Sequence, residues 1–241
     1  MLKTLSTLLS DIWFLIRKWR ELLFHLHKNY PERKHFGALP AHSTIALPCH
    51  IGRKQNIFVE DFVKIRYGLT VINAGKESVY IKKYTVIAPD VTIITNNHRS
   101  TVSIPQVILG ESHINDYSAN VTIEEDVWVG TRATIMAGVT LGRGCIVAAN
   151  ALVTKSIPPY ALVAGIPAKI IGVKFSPSDI ERHEETLYPP EERMSHEDLV
   201  SLFEKVYHDK KVFGCSEPLT QEQSEKVNKL KKKRGFDNYC V

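Results

Sequence analysis

The chain has 241 residues, 44% hydrophobic and 24% charged, a balance that excludes intrinsic disorder and a polytopic membrane protein. Its net charge is +5, and the excess sits at the N-terminus: residues 1–38 hold seven Lys/Arg against three Asp/Glu, residues 39–172 twelve against nine, and residues 173–241 twelve against fourteen. A nucleic-acid groove would spread that excess along the fold, so nucleic acid is not an expected partner.

Residues 1–28 read as one amphipathic helix. Leu5, Leu8, Leu9, Ile12, Leu15, Ile16, Trp19, Leu22, Leu23 and Leu26 recur at helical spacing, with Lys3, Thr7, Asp11, Lys18 and Glu21 between them. Asp11 interrupts any apolar run long enough to span a bilayer. No A-x-A-like cleavage site follows, so a signal peptide fits poorly. Two readings stand for the segment. It packs on the main domain or on a neighbouring subunit, or it lies on a membrane surface with Arg17, Lys18 and Arg20 near anionic lipid. Pro31 and the polar run PERKH end it.

A repeat of period six follows. Stepping from Leu39 gives Ile45, Ile51, Ile57, Val63, Leu69, Gly75, Ile81, Ile87 and Ile93, all aliphatic except Gly75. The register breaks at Arg99 and returns at Ile123, Val129, Ile135, Leu141, Val147 and Val153. Neither a helix nor an alternating strand has that period, and a sandwich of short strands would alternate with irregular spacing. Compact residues stand two places before several of these positions: Val127, Ala133, Val139, Cys145 and Ala151. A very short strand and a turn fit each unit, and three units of six predict a triangular coil of about eighteen residues whose copies stack.

Between Ile93 and Ile123 the repeat is interrupted by an insertion, 94–120, opening with TNNHRS. It places His98 just beyond the end of a coil. After Gly172 the register ends. Ser176 or Ser178, Ser195 and Thr220 are candidate N-caps of three tail helices, the second with Leu199, Leu202, Phe203 and Val206 on one face. The run KLKKKR (229–234) reads as a solvated face, with anionic lipid or phosphate as the alternative. Four cysteines, Cys49, Cys145, Cys215 and Cys240, lack CxxC spacing and point to a reducing compartment, the cytoplasm.

Three stretches, IKKYTVIAPDVTIITNNH (81–98), VTIEEDVWVGTRATIMAGVTLGRGCIVAANALVTKSIPP (121–159) and VAGIPAKIIG (163–172), resemble the hexapeptide-repeat O-acetyltransferases, in the branch acting on maltose, galactosides and surface polysaccharides. The resemblance covers about residues 45–172 and implies a left-handed parallel β-helix there, so that with the two ends as read above the fold is mainly β, with an N-terminal amphipathic helix and a C-terminal helical tail. The repeat register divides the chain into residues 1–38, a β-helix domain 39–172 and a tail 173–241. The resemblance implies a homotrimer that transfers acetyl from acetyl-CoA, without a metal, to a sugar or glycan hydroxyl. His98 matches the family's general base. Imidazole suits that role because it accepts a proton near neutrality and passes it on. Its orienting partner is left open among Asn97, Asp116, a backbone carbonyl and a neighbouring subunit. For the cofactor, Trp128, Thr131, Ala149, Thr154, Lys155 and Lys169 match family positions.

Departures from the family carry expectations of their own. Gly172 stands where some relatives have arginine, which would lose a phosphate contact or move it to Lys174. Asn150 replaces a glycine that relatives often carry, and asparagine tolerates the left-handed region. Three other activities compete. N-acetylation of an amino-sugar nucleotide would fit a larger N-terminal domain. A metal hydratase needs three histidine ligands, and His98 and His113 have no third at suitable spacing. A non-catalytic scaffold would fit loss of His98.

Overall fold

The computed structural model describes residues 2–29 and 32–236, with side chains described from 10 to 23 and from 32 to 236. Helix α1 (Leu2–Asn29) leads into a three-faced coil of parallel strands. Face I stacks Thr44–Ile45, Lys64–Ile65, Val86–Ile87, Trp128–Val129, Ile146–Val147 and Ala161–Gly165. Face II stacks His50–Ile51, Thr70–Ile72, Thr92–Ile94, Thr134–Ile135 and Leu152–Val153. Face III stacks Ile57–Val59, Val79–Ile81, Val121–Ile123 and Thr140–Leu141. The chain visits I, II and III in turn, so each strand pairs with its counterpart one coil away. That is the architecture the six-residue period requires.

The aliphatic ladder lies inside. Ile87, Ile93, Ile123, Val129, Ile135, Leu141, Val147 and Val153 are all fully buried. Each such side chain contributes roughly 1.5–3 kcal/mol of transfer free energy, so the core rests on the repeat itself. The companion positions Val127, Ala133, Val139, Cys145 and Ala151 are buried beside them.

The expected eighteen-residue coil holds only between residues 121 and 153; the last coil, in which Ile146 pairs with Leu162, is a step of 16. Thr134 pairs with Leu152, a step of 18, but His50 pairs with Thr70, a step of 20, and Thr70 with Thr92, a step of 22. Counting by six nevertheless lands on buried residues, because two inward positions per strand are aliphatic. Val63 and Leu69 occupy the companion positions of Ile65 and Val71. Gly75, the one failure of the count, lies in the longer turn 73–78. At the corner between faces I and II the turn residues Gly68, Asp90, Arg132 and Asn150 all have positive φ, Asn150 at 59°. Asparagine there does adopt the left-handed conformation expected of it.

The insertion carries a short helix that its sequence did not signal, α2 (Gln106–Ser112), anchored by the fully buried Leu109. Beyond face I the hairpin strand Ala168–Val173 turns back antiparallel, and Lys211–Val212 pairs beside it. That neighbour explains Gly172: a Cβ there would lie 2.3 Å from the Phe213 ring and 2.7 Å from the Lys211 carbonyl oxygen. An arginine at 172 has no room.

The tail forms α3 (Pro177–Leu187), α4 (His196–Leu202) and α5 (Gln221–Arg234). The three caps are Ser176, Ser195 and Thr220, whose hydroxyls accept from the amides of Asp179, Asp198 and Gln223. Helix α3 docks through a buried polar knot. Glu184, 1% exposed, accepts from Tyr160 Oη at 2.8 Å and the Met194 amide at 2.5 Å, and pairs with Arg143 at 3.3 Å. Burial pushes the Tyr160 phenol well above its ordinary range, so it stays a neutral donor. Beside it Asp126 binds both Lys174 Nζ at 2.6 Å and His183 Nε2 at 3.0 Å. Burial alone would raise the Asp126 pKa, but the His183 hydrogen bond and the Lys174 charge outweigh it and hold the carboxyl low.

Candidate active site

The inserted loop is closed by two short antiparallel strands, Asn96–Asn97 and Tyr117–Ser118, with Asn97 opposite Tyr117. The next residues outward are His98 on one strand and Asp116 on the other. The ladder therefore brings together two residues eighteen positions apart, and His98 Nδ1 lies 2.9 Å from Asp116 Oδ1. Of the orienting partners left open by the sequence, the structure supplies Asp116.

His113 joins them. It caps α2 with φ 54°, its amide donating to the Leu109 carbonyl at 3.0 Å. Its Nδ1 lies 2.9 Å from Asp116 Oδ2, and its ring centroid is 5.3 Å from that of His98. One carboxylate thus serves two imidazoles. Hydrogen bonds from His113 and then His98 hold the Asp116 carboxyl below its ordinary range. It therefore accepts from both Nδ1 atoms, which puts the lone pair of a neutral ring on Nε2. The three ligand atoms lie within 4.8 Å of one another, a donor set that could also take a divalent cation. Asp116 is the third donor that histidine spacing alone did not reveal; among the described residues no third histidine joins it.

The remaining candidate residues fall into two groups. Thr154 and Lys155, both exposed, share with His98 the corner between faces II and III. Trp128, 55% exposed, lies on face I between Val86 and Ile146. Thr131 and Ala149 follow at the next corner, where the Asn150 amide donates to the Thr131 carbonyl at 2.9 Å. The Thr131 hydroxyl is already engaged, donating to the Pro89 carbonyl at 2.8 Å. Lys169 is exposed on the hairpin opposite Ala164. Face II separates the two groups, so one protomer does not gather them into one pocket. Lys174 is not free for a phosphate, because its ammonium is part-buried against Asp126.

Residues 120–155 match the family model described as bacterial transferase hexapeptide (six repeats). A chloramphenicol acetyltransferase of Agrobacterium fabrum is 42% identical over 79 residues, 32% of this chain and 38% of that protein. A putative lipopolysaccharide biosynthesis O-acetyl transferase of Escherichia coli is 36% identical over 122 residues, 48% of this chain and 57% of that protein. The chain thus spans well under two thirds of the length of these curated relatives. A hexapeptide-repeat-containing acetyltransferase of Vibrio cholerae, solved with acetyl coenzyme A, superposes with a TM-score of 0.55 at 26% identity, covering 62% of this chain and 82% of that one. The chain carries the hexapeptide repeat of the bacterial transferases, and in sequence and fold it resembles the hexapeptide-repeat acetyltransferases.

Proposed function

We propose that the chain is an acetyl-CoA-dependent O-acetyltransferase acting on a sugar hydroxyl of a bacterial surface glycan or its precursor. The observation that carries this reading is the His98–Asp116 pair, which leaves Nε2 as a base. Acetyl-CoA is the acyl donor in this reading. His98 Nε2 takes the proton of the acceptor hydroxyl as its oxygen attacks the thioester carbonyl. The C–S bond then breaks, and the imidazolium returns the proton to the departing thiolate. Atoms balance without an acyl-enzyme. Asp116 stabilises the imidazolium and fixes the tautomer, as a positioning residue. The acetyl-CoA complex of the Vibrio cholerae relative supports the donor, and the Escherichia coli relative supports the glycan acceptor.

The working form is a homotrimer, and the coil is left-handed, as in the family that the chain resembles. The split between the two residue groups supports a site shared by two copies. So does the outward row Val86, Trp128, Ile146 and Leu162 on face I, four apolar side chains in register. Trp128, Thr131, Ala149 and Lys169 of one copy and Thr154 and Lys155 of another would then hold acetyl-CoA.

Asp116→Asn tests the mechanism. An amide can accept from one Nδ1–H but presents N–H to the other ring, which forces a tautomer change. The expected result is a loss of about 100-fold or more in kcat with the KM for acetyl-CoA nearly unchanged. Equal losses in both parameters would instead mark a general structural role. The pH sign follows from the lowered Asp116 pKa. The carboxylate clasp is present above the ordinary carboxylate range and lost as pH falls through the lower folded value, so orientation survives mild acid.

Helix α1 is proposed to lie on an anionic lipid surface of the cytoplasmic compartment. Helix α1 comes against the coil at the strand His50–Ile51, yet every side chain from 10 to 23 is exposed: Trp13 is 71% exposed and Trp19 62%, with Ile12, Leu15, Ile16, Leu22 and Leu23 also open. Ile12, Leu15, Ile16, Trp19, Leu22 and Leu23 share one face, flanked by Lys18 and Arg20. No described helix is long and apolar enough to cross a membrane. Sedimentation should find the protein on vesicles containing anionic phospholipid and not on neutral ones. Arg20→Ala should weaken that by about fivefold, the equivalent of roughly 1 kcal/mol per basic residue. Equal partition into both vesicle types would overturn the electrostatic part of the reading.

A further inference from the structure

The coils depart from eighteen residues in one place only, the corner between faces II and III. The pairing steps put two additional residues in turn 52–56 and four in turn 73–78, and the inserted loop leaves the same corner. In repeat folds, insertions collected on one side mark the binding side. Three successive coils therefore build out one edge, and His98 stands on the third of them.

A cleft of about 500 Å³ lies against the first two. His50, Arg53, Thr70 and Asn73 supply its polar groups, and no carboxylate lines it. Its wall is joined to the strand that carries His98: the Thr95 amide donates to the Ile72 carbonyl at 3.0 Å, and the Ala74 amide to Asn96 Oδ1 at 3.3 Å. The cleft and the base are thus two rungs apart, roughly 10 Å at the spacing of stacked strands. That is the span of one or two sugar rings.

Arg53 is held for a purpose that nothing in the fold uses. Asn73, 3% exposed, accepts from the Arg53 amide at 2.8 Å and donates to the Arg53 carbonyl at 2.9 Å. Gly52 lets that clasp close, because a Cβ there would lie 2.9 Å from two Asn73 oxygens. The backbone is fixed on both sides, yet the guanidinium is exposed and has no hydrogen-bond or ionic partner among the described residues. The His50 imidazole beside it is also unpartnered among them. A guanidinium with its backbone fixed and no carboxylate lining its cleft suits a carboxylate or phosphate, which it can grip with two parallel N–H donors.

We propose that this cleft is the acceptor subsite and that it selects a sugar bearing a negative group, held by Arg53 while its reacting hydroxyl meets His98 Nε2. The inference rests on the acetyltransferase reading for the reaction, but the anion site stands on its own geometry. The clasp uses only main-chain atoms of Arg53, so Arg53→Ala keeps it.

Two measurements separate the claims. Thiol release from acetyl-CoA is followed with three sets of acceptors: uronic- and sialic-acid oligosaccharides, sugar 1-phosphates and nucleotide sugars, and neutral galactosides and maltose. Calorimetry then follows binding of the same anionic probes to wild type and Arg53→Ala. The proposal expects one of the two anionic sets to be preferred, naming carboxylate or phosphate as the recognised group. It also expects Arg53→Ala to weaken that binding by about tenfold or more, with the kinetic loss carried by KM. Release that is best with neutral acceptors keeps the transferase and overturns the anion subsite. Anion binding that depends on Arg53, in a protein that releases no thiol, keeps the subsite and overturns the transferase.

Discussion

His98→Ala is expected to lower kcat/KM for acetyl transfer by about 10²–10⁴-fold, the range for loss of a general base. The effect should be large because the side chain has one geometry and one job. Its Nδ1 is bound to Asp116 at 2.9 Å, and its side chain is 35% exposed, open to an acceptor. The substitution should leave the fold intact, because the imidazole lies outside the aliphatic ladder and removes no core contact. Circular dichroism and acetyl-CoA calorimetry check that, since His98 is not among the residues proposed to hold acetyl-CoA. A variant that keeps acetyl-CoA affinity and loses turnover supports the assignment. Near wild-type turnover would remove His98 from the chemistry.

The largest effect on stability should come from Glu184→Ala. That carboxylate is the acceptor for Tyr160, Arg143 and the Met194 amide inside the joint between α3 and the last coils. Its removal leaves a buried phenol and a backbone N–H without a partner, and it weakens the hold on Arg143, which is also paired with Glu125 at 3.1 Å. Breaking one side of such a buried pair costs about 3–5 kcal/mol. Glu184→Gln keeps an acceptor oxygen and should cost about 1–3 kcal/mol, the range for impaired buried hydrogen bonds. Denaturant unfolding distinguishes the two. Loss of less than about 1 kcal/mol for the alanine variant would mean that the joint contributes little net stability.

The architecture is legible in the sequence wherever one residue type repeats. Ile123 through Val153 step by six because each turn of the coil asks for the same buried aliphatic. The tail caps are legible for the same local reason: Ser176, Ser195 and Thr220 each precede the amide they satisfy. Coil length is not legible, because Val63 and Leu69 satisfy the count from companion positions while the true register has moved two residues. The extra residues that form the Arg53 turn are hidden by that coincidence. Gly75 is the one position where the slip shows.

Pairings made by long-range closure are also absent from any local pattern. Asp116 meets His98 only because the loop folds back on itself as a two-strand ladder. Lys174 meets Asp126 only because the tail returns across the coil, which is why a phosphate role suggested by sequence position fails. Helix α2 is too short to leave a periodic signal. It nevertheless sets the place of His113, the second imidazole on the shared carboxylate.

The most direct test of this account is thiol release from acetyl-CoA by the intact protein, run with and without sugar acceptors, beside His98→Ala. The account predicts release that needs both an acceptor and His98. Acceptor-dependent release at the same rate in His98→Ala would contradict it.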